Sequence, residues 1–180
     1  EISKKIKTKN GTILHSSGTR GKDALSNHLN FGVFYPLQTF SFNKKIDFTK
    51  TPILIEGNSQ KNLEKLKELC RILEVEFEEV DSKKRLHYHL AASFANNFTN
   101  HILSLTDELV NKFKLEKKFF IPIANETFKK FQSNKSKESQ TGPAVRNDVK
   151  TLKKHEEILK KSNYLNLYKI ITKSIKKNDL

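Results

Sequence analysis

The chain of 180 residues is 36% hydrophobic and 30% charged, with a formal net charge of +14. Enough apolar residues are present to build a core, which excludes a largely disordered chain. No apolar run is long enough to span a membrane, and the lone cysteine, Cys70, excludes an intrachain disulfide. These features predict a soluble protein of a reducing compartment, the cytoplasm.

The basic charge permits binding to nucleic acid. The excess is almost entirely lysine, scattered along predicted helix surfaces, and the chain has only four arginines. Because recognition of phosphates and bases depends on clustered arginine and lysine, this distribution favours a solvated surface over a nucleic-acid interface.

Strand and helix patterns alternate over residues 1–82, after the tail of a helix indicated by Ile2 and Ile6. The predicted elements are strand 12–15, helix 22–28, strands 31–35 and 52–57, helix 63–73 and strand 75–80. Such alternation is typical of an α/β domain with a mostly parallel sheet.

Residues 83–180 show no further strand pattern and predict an all-α domain. The predicted helices cover 84–114, 121–133, 146–161 and 164–177. On the first of them, Leu86, Leu90, Phe94 and Phe98 form one apolar line. A small domain cannot cover so long a helix from one side, which favours a partner chain.

A second line on this helix is polar and contains the candidate catalytic groups. Its members are Arg85, His89, Ser93, Asn96, Asn97 and Asn100. The absence of Lys and Glu from residues 86–107 favours an enclosed surface, although a solvated helix face is the alternative. In an enclosed site Arg85 would bind a carboxylate or phosphate, His89 would transfer protons and Asn97 would orient a carbonyl.

A second candidate cluster surrounds the start of the helix predicted at 146–161. It comprises Gly142, Pro143, Arg146, Asp148 and His155. The backbone amides at the start of a helix favour an anionic substrate. The alternative is helix punctuation, with Pro143 near the first turn and Asp148 stabilising the helix dipole. That alternative accounts less well for Arg146.

Three other kinds of site are disfavoured. His87 and His89 point about 200° apart on a helix, so a shared metal ion is not expected. Ser16 and Ser17 lack the Gly-x-Ser-x-Gly context of a hydrolase. No Gly-x-x-x-x-Gly-Lys-Ser/Thr phosphate loop occurs.

Six segments in order carry a resemblance to a known family. They are His15-Ser16-Ser17-Gly18, Tyr35-Pro36-Leu37-Gln38-Thr39-Phe40, Ile55-Glu56-Gly57, His89-Leu90-Ala91-Ala92 with Asn97-Phe98-Thr99-Asn100-His101, Glu126-Thr127, and Thr141-Gly142-Pro143-Ala144-Val145-Arg146-Asn147-Asp148 with His155. Across nearly the whole chain they resemble the Rossmann-like proteins with a DUF2520 domain. These are similar in layout to the 6-phosphogluconate, prephenate and pyrroline-carboxylate reductases and dehydrogenases.

The resemblance implies the C-terminal part of a Rossmann-like sheet, followed by a helical domain that usually forms the dimer. It implies that His15, Ser16, Ser17 and Gly18 lie near the nicotinamide end of a cofactor cleft. The Gly-x-Gly-x-x-Gly loop that binds the pyrophosphate is absent, and we expect it to precede Glu1. This chain alone is therefore expected to be inactive.

We accordingly expect part of an oxidoreductase that uses NADP or NAD on a small anionic substrate, as a homodimer through the helical domain. Hydride transfer belongs to the cofactor, His89 is the predicted acid and base, and Arg85 or Arg146 holds the anionic group. The alternatives are a non-catalytic helical interaction module and a basic nucleic-acid binder, whose affinity would depend strongly on salt.

Overall fold

The computed structural model describes residues 5–41, 45–133 and 136–177, and the chain divides into two compact units, Glu1–Leu109 and Val110–Leu180. The first unit contains a four-stranded sheet, whereas the described residues of the second form helices and turns. The predicted order of α/β followed by all-α is confirmed. Strands give way to helices between Glu79 and Ser82, whereas the compact units divide between Leu109 and Val110. The predicted domain boundary after residue 82 stays a prediction. Ile2 lies outside the described residues, and Ile6 is exposed and not helical.

The sheet has the strand order β1-β2-β3-β4. Its strands are β1 (Ile13–His15), β2 (Phe31–Pro36), β3 (Ile53–Gly57) and β4 (Phe77–Glu79). β1 pairs with β2 in parallel and β3 pairs with β4 in parallel, but β2 and β3 are antiparallel. The prediction of a mostly parallel sheet therefore holds for two of the three pairs and fails at the central one. A parallel pair needs a crossover, usually a helix, and the described residues between β2 and β3 contain only a short 3-10 turn.

Helix α1 (Gln60–Ile72) supplies that crossover between β3 and β4. It begins where the Ser59 hydroxyl accepts a hydrogen bond from the Asn62 backbone N–H at 3.3 Å. Leu63, Leu66 and Cys70 follow at helical spacing and pack against Ile53 and Ile55 of β3, forming the buried core. Burial raises the pKa of the Cys70 thiol, which is therefore a packing residue.

Alternation along β3 divides its side chains between the two faces of the sheet. Ile53 and Ile55 face α1, so Leu54 and Glu56 lie on the opposite face. The strand register aligns His15, Val33 and Glu56 across three neighbouring strands. This second face therefore carries a histidine and a buried carboxylate, and it is where the candidate site is built.

A continuous helical segment follows β4, as the sequence predicts. It consists of α2 (Ser82–Ala92), a π-helical stretch (Ser93–Phe98) and α3 (Thr99–Lys112). Asp81 caps its start by accepting a hydrogen bond from the Lys84 N–H at 2.6 Å. The π-helical stretch was not predicted, and it places the Thr99 hydroxyl 2.9 Å from the Phe94 carbonyl, which accepts its hydrogen bond.

The predicted apolar line on this segment is exposed. Leu86, Leu90, Phe94 and Phe98 are between 45% and 62% accessible, and the rings of Phe94 and Phe98 meet edge to face at 4.9 Å. Apolar side chains of this size are uncommon on a helix face that contacts only water.

None of the helices in the described residues combines the length and apolar character that crossing a membrane requires.

The second unit contains α4 (Ile121–Gln132), α5 (Val149–Leu159) and α6 (Leu165–Lys177). Pro122 lies in the first turn of α4, where its missing N–H leaves no bond unmade. α5 and α6 are joined by a hydrogen bond of 2.8 Å between His155 Nδ1 and the Tyr168 hydroxyl, and by an ion pair of 3.4 Å between Lys169 and Glu156.

Substituting Gly32 by Ala is expected to destabilise the first unit. A Cβ at residue 32 would lie 2.4 Å from the Glu56 carbonyl oxygen, a backbone atom of the paired strand. Because the strands must separate to admit it, we expect the free energy of unfolding to fall by about 2 kcal/mol. Chemical denaturation measures this loss.

Gly21→Ala is the matched control, since a Cβ there would meet only the Ser82 hydroxyl at 3.7 Å, an ordinary contact. Equal stability of the two variants would contradict the close approach of β2 and β3.

Candidate functional site

The site is centred on the loop that leaves β1, residues 16–21, which we call the β1 loop. The Ser17 hydroxyl organises it by accepting hydrogen bonds from the N–H groups of Thr19 at 3.3 Å and Arg20 at 3.1 Å. These bonds form a compact turn. The turn predicted after the first strand is therefore an ordered loop, and its function stays a prediction.

His15 holds the β1 loop from inside. The Ser17 N–H donates to His15 Nδ1 at 3.2 Å, and the Gly21 carbonyl lies 3.2 Å from His15 Nε2. Since Nδ1 accepts, the proton must be on Nε2 and the ring must be neutral. Burial is the main reason that the pKa of His15 is lowered, although the Gly21 carbonyl opposes it. Both ring nitrogens are thus engaged by the loop itself, which leaves neither for a cofactor.

Tyr35 and His89 meet above Gly18, and we call them the Tyr35–His89 pair. The Tyr35 hydroxyl lies 3.1 Å from His89 Nδ1, and the two rings are arranged edge to face. A Cβ at residue 18 would come within 2.6 Å of His89 Nδ1 and 3.0 Å of Tyr35 Cζ. Only glycine allows the loop to pass so close beneath the pair.

Arg85 ties helix α2 to both the loop and the sheet. Its side chain is fully buried and forms an ion pair with Glu56 on β3. Its Nε donates to the Ser17 carbonyl at 3.2 Å, and its Nη2 donates to the Arg20 carbonyl at 2.6 Å and to the Ser82 hydroxyl at 3.2 Å. The guanidinium is buried and makes four hydrogen bonds to protein groups, so the interpretation of Arg85 as a substrate-binding residue does not fit this arrangement.

Glu56 is the carboxylate that balances Arg85. It also accepts hydrogen bonds from Ser82 at 2.8 Å and from Lys22 at 3.1 Å. Burial alone would raise the pKa of Glu56, but the bonds from Arg85, Ser82 and Lys22 outweigh it, and the pKa is lowered. The carboxylate therefore stays ionised at neutral pH.

The other predicted residues of the helix are not hydrogen-bonded to the side chains of the pair in the described part of the chain. His89 is half-buried, whereas Asn97 is exposed in the π-helical stretch and accepts a hydrogen bond from Asn96 at 2.8 Å. Ser93 donates its hydroxyl to the His89 carbonyl at 3.0 Å. The polar line is thus divided. Arg85 and His89 belong to the site, whereas Asn96, Asn97 and Asn100 are exposed.

The predicted residues of the second unit show mainly the features of a helix start. Asp148 caps α5 by accepting bonds from the Thr151 N–H at 3.0 Å and its hydroxyl at 2.7 Å. Gly142 has a φ of +107°, which explains glycine at that turn. Arg146 is exposed, and His155 is exposed and bonded to Tyr168. Pro143 contributes its carbonyl to the Asp148 N–H at 2.9 Å.

Sequence reasoning did not assign Tyr35, Glu56 or Ser82 to the site. The signal for Glu56 was present, because a carboxylate in the otherwise apolar run Ile53–Gly57 must have a cationic partner. Tyr35 was marked only as the first residue of one of the six segments that carry the resemblance. Its contact with His89 joins residues 54 positions apart, one on β2 and the other on α2.

Gly18→Ala is expected to separate Tyr35 from His89. The new methyl group would occupy the space of the imidazole, so the loop or the ring must move, at a cost of about 1–3 kcal/mol in stability. The ¹⁵N spectrum of the His89 ring, which reports the hydrogen bond at Nδ1, should change. Ser16→Ala, an exposed change in the same loop, should leave it unaltered.

His15 is expected to make the free energy of unfolding decrease as the pH is lowered. Above pH 6.5, its ordinary pKa, the ring is neutral in both states. As the pH decreases, the unfolded chain takes up the proton first, because the pKa in the folded protein is lower. The free energy of unfolding therefore decreases as the pH falls through the folded pKa. In His15→Gln, denaturation above and below pH 6.5 should show a smaller loss than in the wild type, and an equal loss would contradict the neutral ring.

Comparison with known proteins places the chain in a family. The family model for the domain of unknown function DUF2520 matches residues 51–175. No curated protein matches. The chain is similar to the crystal structure of "putative NADP oxidoreductase BF3122" from Bacteroides fragilis, with 34% identity and a TM-score of 0.86, over 92% of this chain and 65% of that one.

A second solved structure, protein TM1727 from Thermotoga maritima, is similar in fold, with 20% identity and a TM-score of 0.76 over 98% of this chain and 72% of that one. This chain thus spans about two thirds of the Bacteroides fragilis protein, 65% of its length. The family match covers more than half of the chain, and the likeness in fold extends over nearly all of it. The chain belongs to the DUF2520 family, and its α/β region is Rossmann-like.

Proposed function

We propose that this chain is the substrate-side part of an NADP-dependent oxidoreductase. In this proposal His89 transfers a proton, and Tyr35 orients the His89 ring. The observation that carries this proposal is the Tyr35–His89 pair, held at 3.1 Å above the loop that leaves β1. Ligands of Rossmann-like sheets bind outside the carboxyl ends of the strands, where this loop lies. The description of the similar Bacteroides fragilis protein supports the cofactor.

The β1 loop fits one end of a nicotinamide cofactor. Ser16 is exposed, and within the described residues its side chain makes no hydrogen bond, so it is the group of the loop that would contact the nicotinamide end. His15 and Ser17 shape the loop, and Gly18 lies beneath the pair. When bound, the cofactor would supply or accept the hydride.

His89 provides the proton chemistry. The Tyr35 hydroxyl can donate to Nδ1 or accept from it, so it supports both the neutral and the protonated ring. Within the described residues Nε2 has no hydrogen-bond partner, and it is the atom we assign to the substrate. A protonated His89 would give its Nε2 proton to the oxygen or nitrogen bonded to the carbon that receives the hydride, and the neutral ring would take it back in the reverse direction.

Tyr35 orients His89 and keeps its own proton. Burial raises the pKa of Tyr35 above its ordinary value, so its phenolate is disfavoured at neutral pH. Loss of the hydroxyl should therefore weaken catalysis less than loss of the imidazole.

The anionic part of a small substrate needs a cation that is not already engaged. Arg85 is buried and already engaged by the protein, so of the two predicted arginines Arg146, which is exposed at the Gly142–Asp148 turn, is our candidate. Location in the cytoplasm and action as a homodimer belong to the same proposal.

A non-catalytic interaction module is the second candidate function. The exposed apolar line of Leu86, Leu90, Phe94 and Phe98 favours it, because an apolar row of this length on a helix is typical of a protein interface. The oxidoreductase requires nucleotide binding, whereas the interaction module does not.

The decisive experiment is NADPH binding by calorimetry to the full-length protein, followed by turnover of small carbonyl and imine acids. We expect saturable binding in the wild type and in His89→Gln. Turnover should fall by about 100- to 10,000-fold in His89→Gln, as for loss of a general acid, and less in Tyr35→Phe.

His87→Gln is the matched control, since His87 is exposed on the same helix. It should behave as the wild type. Absence of NADPH and NADH binding would sink the oxidoreductase proposal and leave the interaction module as the better account.

A further inference from the structure

We propose that Arg85 is a positioning residue for the Tyr35–His89 pair, acting through the carbonyl groups of the β1 loop. This inference deepens the proposed function and rests on it only for the pair's role in catalysis. It begins from an asymmetry in the bonds of the guanidinium. One side meets Glu56, as a buried cation requires, whereas the other side is directed to two backbone carbonyls, those of Ser17 and Arg20.

Those carbonyls bracket the residue that lies beneath the pair. The Ser17 carbonyl belongs to the peptide group that enters Gly18, so its orientation sets the path of the chain at that point. The N–H of the same residue, in the preceding peptide group, is held by His15 Nδ1 at 3.2 Å. Ser17 is thus fixed at both its N–H and its C=O, by side chains from a strand and a helix.

Because Gly18 lies so close to the His89 ring, a small movement of the β1 loop would shift that ring relative to Tyr35. A Cβ there would lie 2.6 Å from His89 Nδ1, so the Gly18 backbone is already in close contact with the ring. Arg85 and His89 lie one helical turn apart on α2 and on the same side of it. One rigid helix therefore presents the imidazole and holds the loop against it.

A lysine at position 85 cannot make the same bonds. The planar guanidinium offers five N–H donors in a fixed fork, and it reaches Glu56, Ser82 and the two carbonyls at once. An ammonium group is a single point of charge that can stay with Glu56 but cannot span the loop. Arg85→Lys therefore separates the ionic function of residue 85 from the positioning function.

The test is NMR spectroscopy of the full-length protein without nucleotide, with ¹⁵N-labelled backbone and histidine rings. In Arg85→Lys we expect a folded protein whose Ser17 and Gly18 amide signals move. The His89 ring signals should move towards those of Tyr35→Phe, in which the hydrogen bond is absent. Arg71→Lys is the matched control, because Arg71 is exposed and pairs with Glu68 at the surface.

A second variant tests the proposal if Arg85→Lys does not fold. Arg85→Met with Glu56→Gln removes both buried charges together, leaves only the partly exposed Lys22 without its carboxylate, and should fold while losing the carbonyl bonds. Wild-type loop and His89 signals in either folded variant would overturn the proposal. Unfolding of both would also overturn it, since residue 85 would then serve only the fold. Nucleotide binding is absent from this readout, so its failure and that of the proposed function are distinguishable.

Discussion

The buried ion pair between Arg85 and Glu56 is the interaction on which the site depends. Removing two charges from water costs several kcal/mol for each ion, and only good geometry with further hydrogen bonds offsets that cost. Here the remaining groups are satisfied by Ser82, Lys22 and the carbonyls of the β1 loop. Loss of one partner would leave the other charge buried and unpaired, at a cost of about 3–5 kcal/mol.

This ion pair also explains why three elements from distant parts of the chain meet. Glu56 is on β3, Arg85 is on α2, and the carbonyls that Arg85 binds belong to the loop after β1. An apolar contact would hold these elements together without fixing their orientation. Directed bonds to carbonyl groups fix the loop to within the tolerance that the close contact of Gly18 and His89 demands.

The sequence allowed the elements to be predicted, because burial imposes periodicity. Helix α1 follows from leucines at helical spacing, and β3 follows from an apolar run between turns. The direction of β3 relative to β2 could not be predicted, since the pattern of apolar residues along a strand is the same whichever way the strand runs beside its neighbour. The π-helical stretch was also missed, because residues four apart lie near one another in an α-helix and in a π-helix alike.

That stretch has a physical correlate in the sequence. Leu86, Leu90, Phe94 and Phe98 recur every four residues, and on an α-helix each such step turns the row by about 40°. The wider turns of a π-helix oppose this drift, so Ser93–Phe98 helps to keep the apolar line on one side of the segment. The same wider turns alter the direction of the polar residues that follow, which is consistent with Asn97 facing outward. A periodicity calculated for an ideal α-helix could assign Arg85 and His89 to one face, but not Asn97.

The role of a polar residue was harder to predict than its position, as the two histidine–tyrosine pairs illustrate. His89 and His155 each bond a tyrosine hydroxyl through Nδ1, at 3.1 and 2.8 Å. His155 is exposed and joins α5 to α6, whereas His89 is half-buried beside an ordered loop at the end of a strand. Identical groups at similar distances thus have different prospects for chemistry, and the difference lies in what surrounds them. Those surroundings are set by strand register and by the bonds of Arg85, which arise only when the chain has folded.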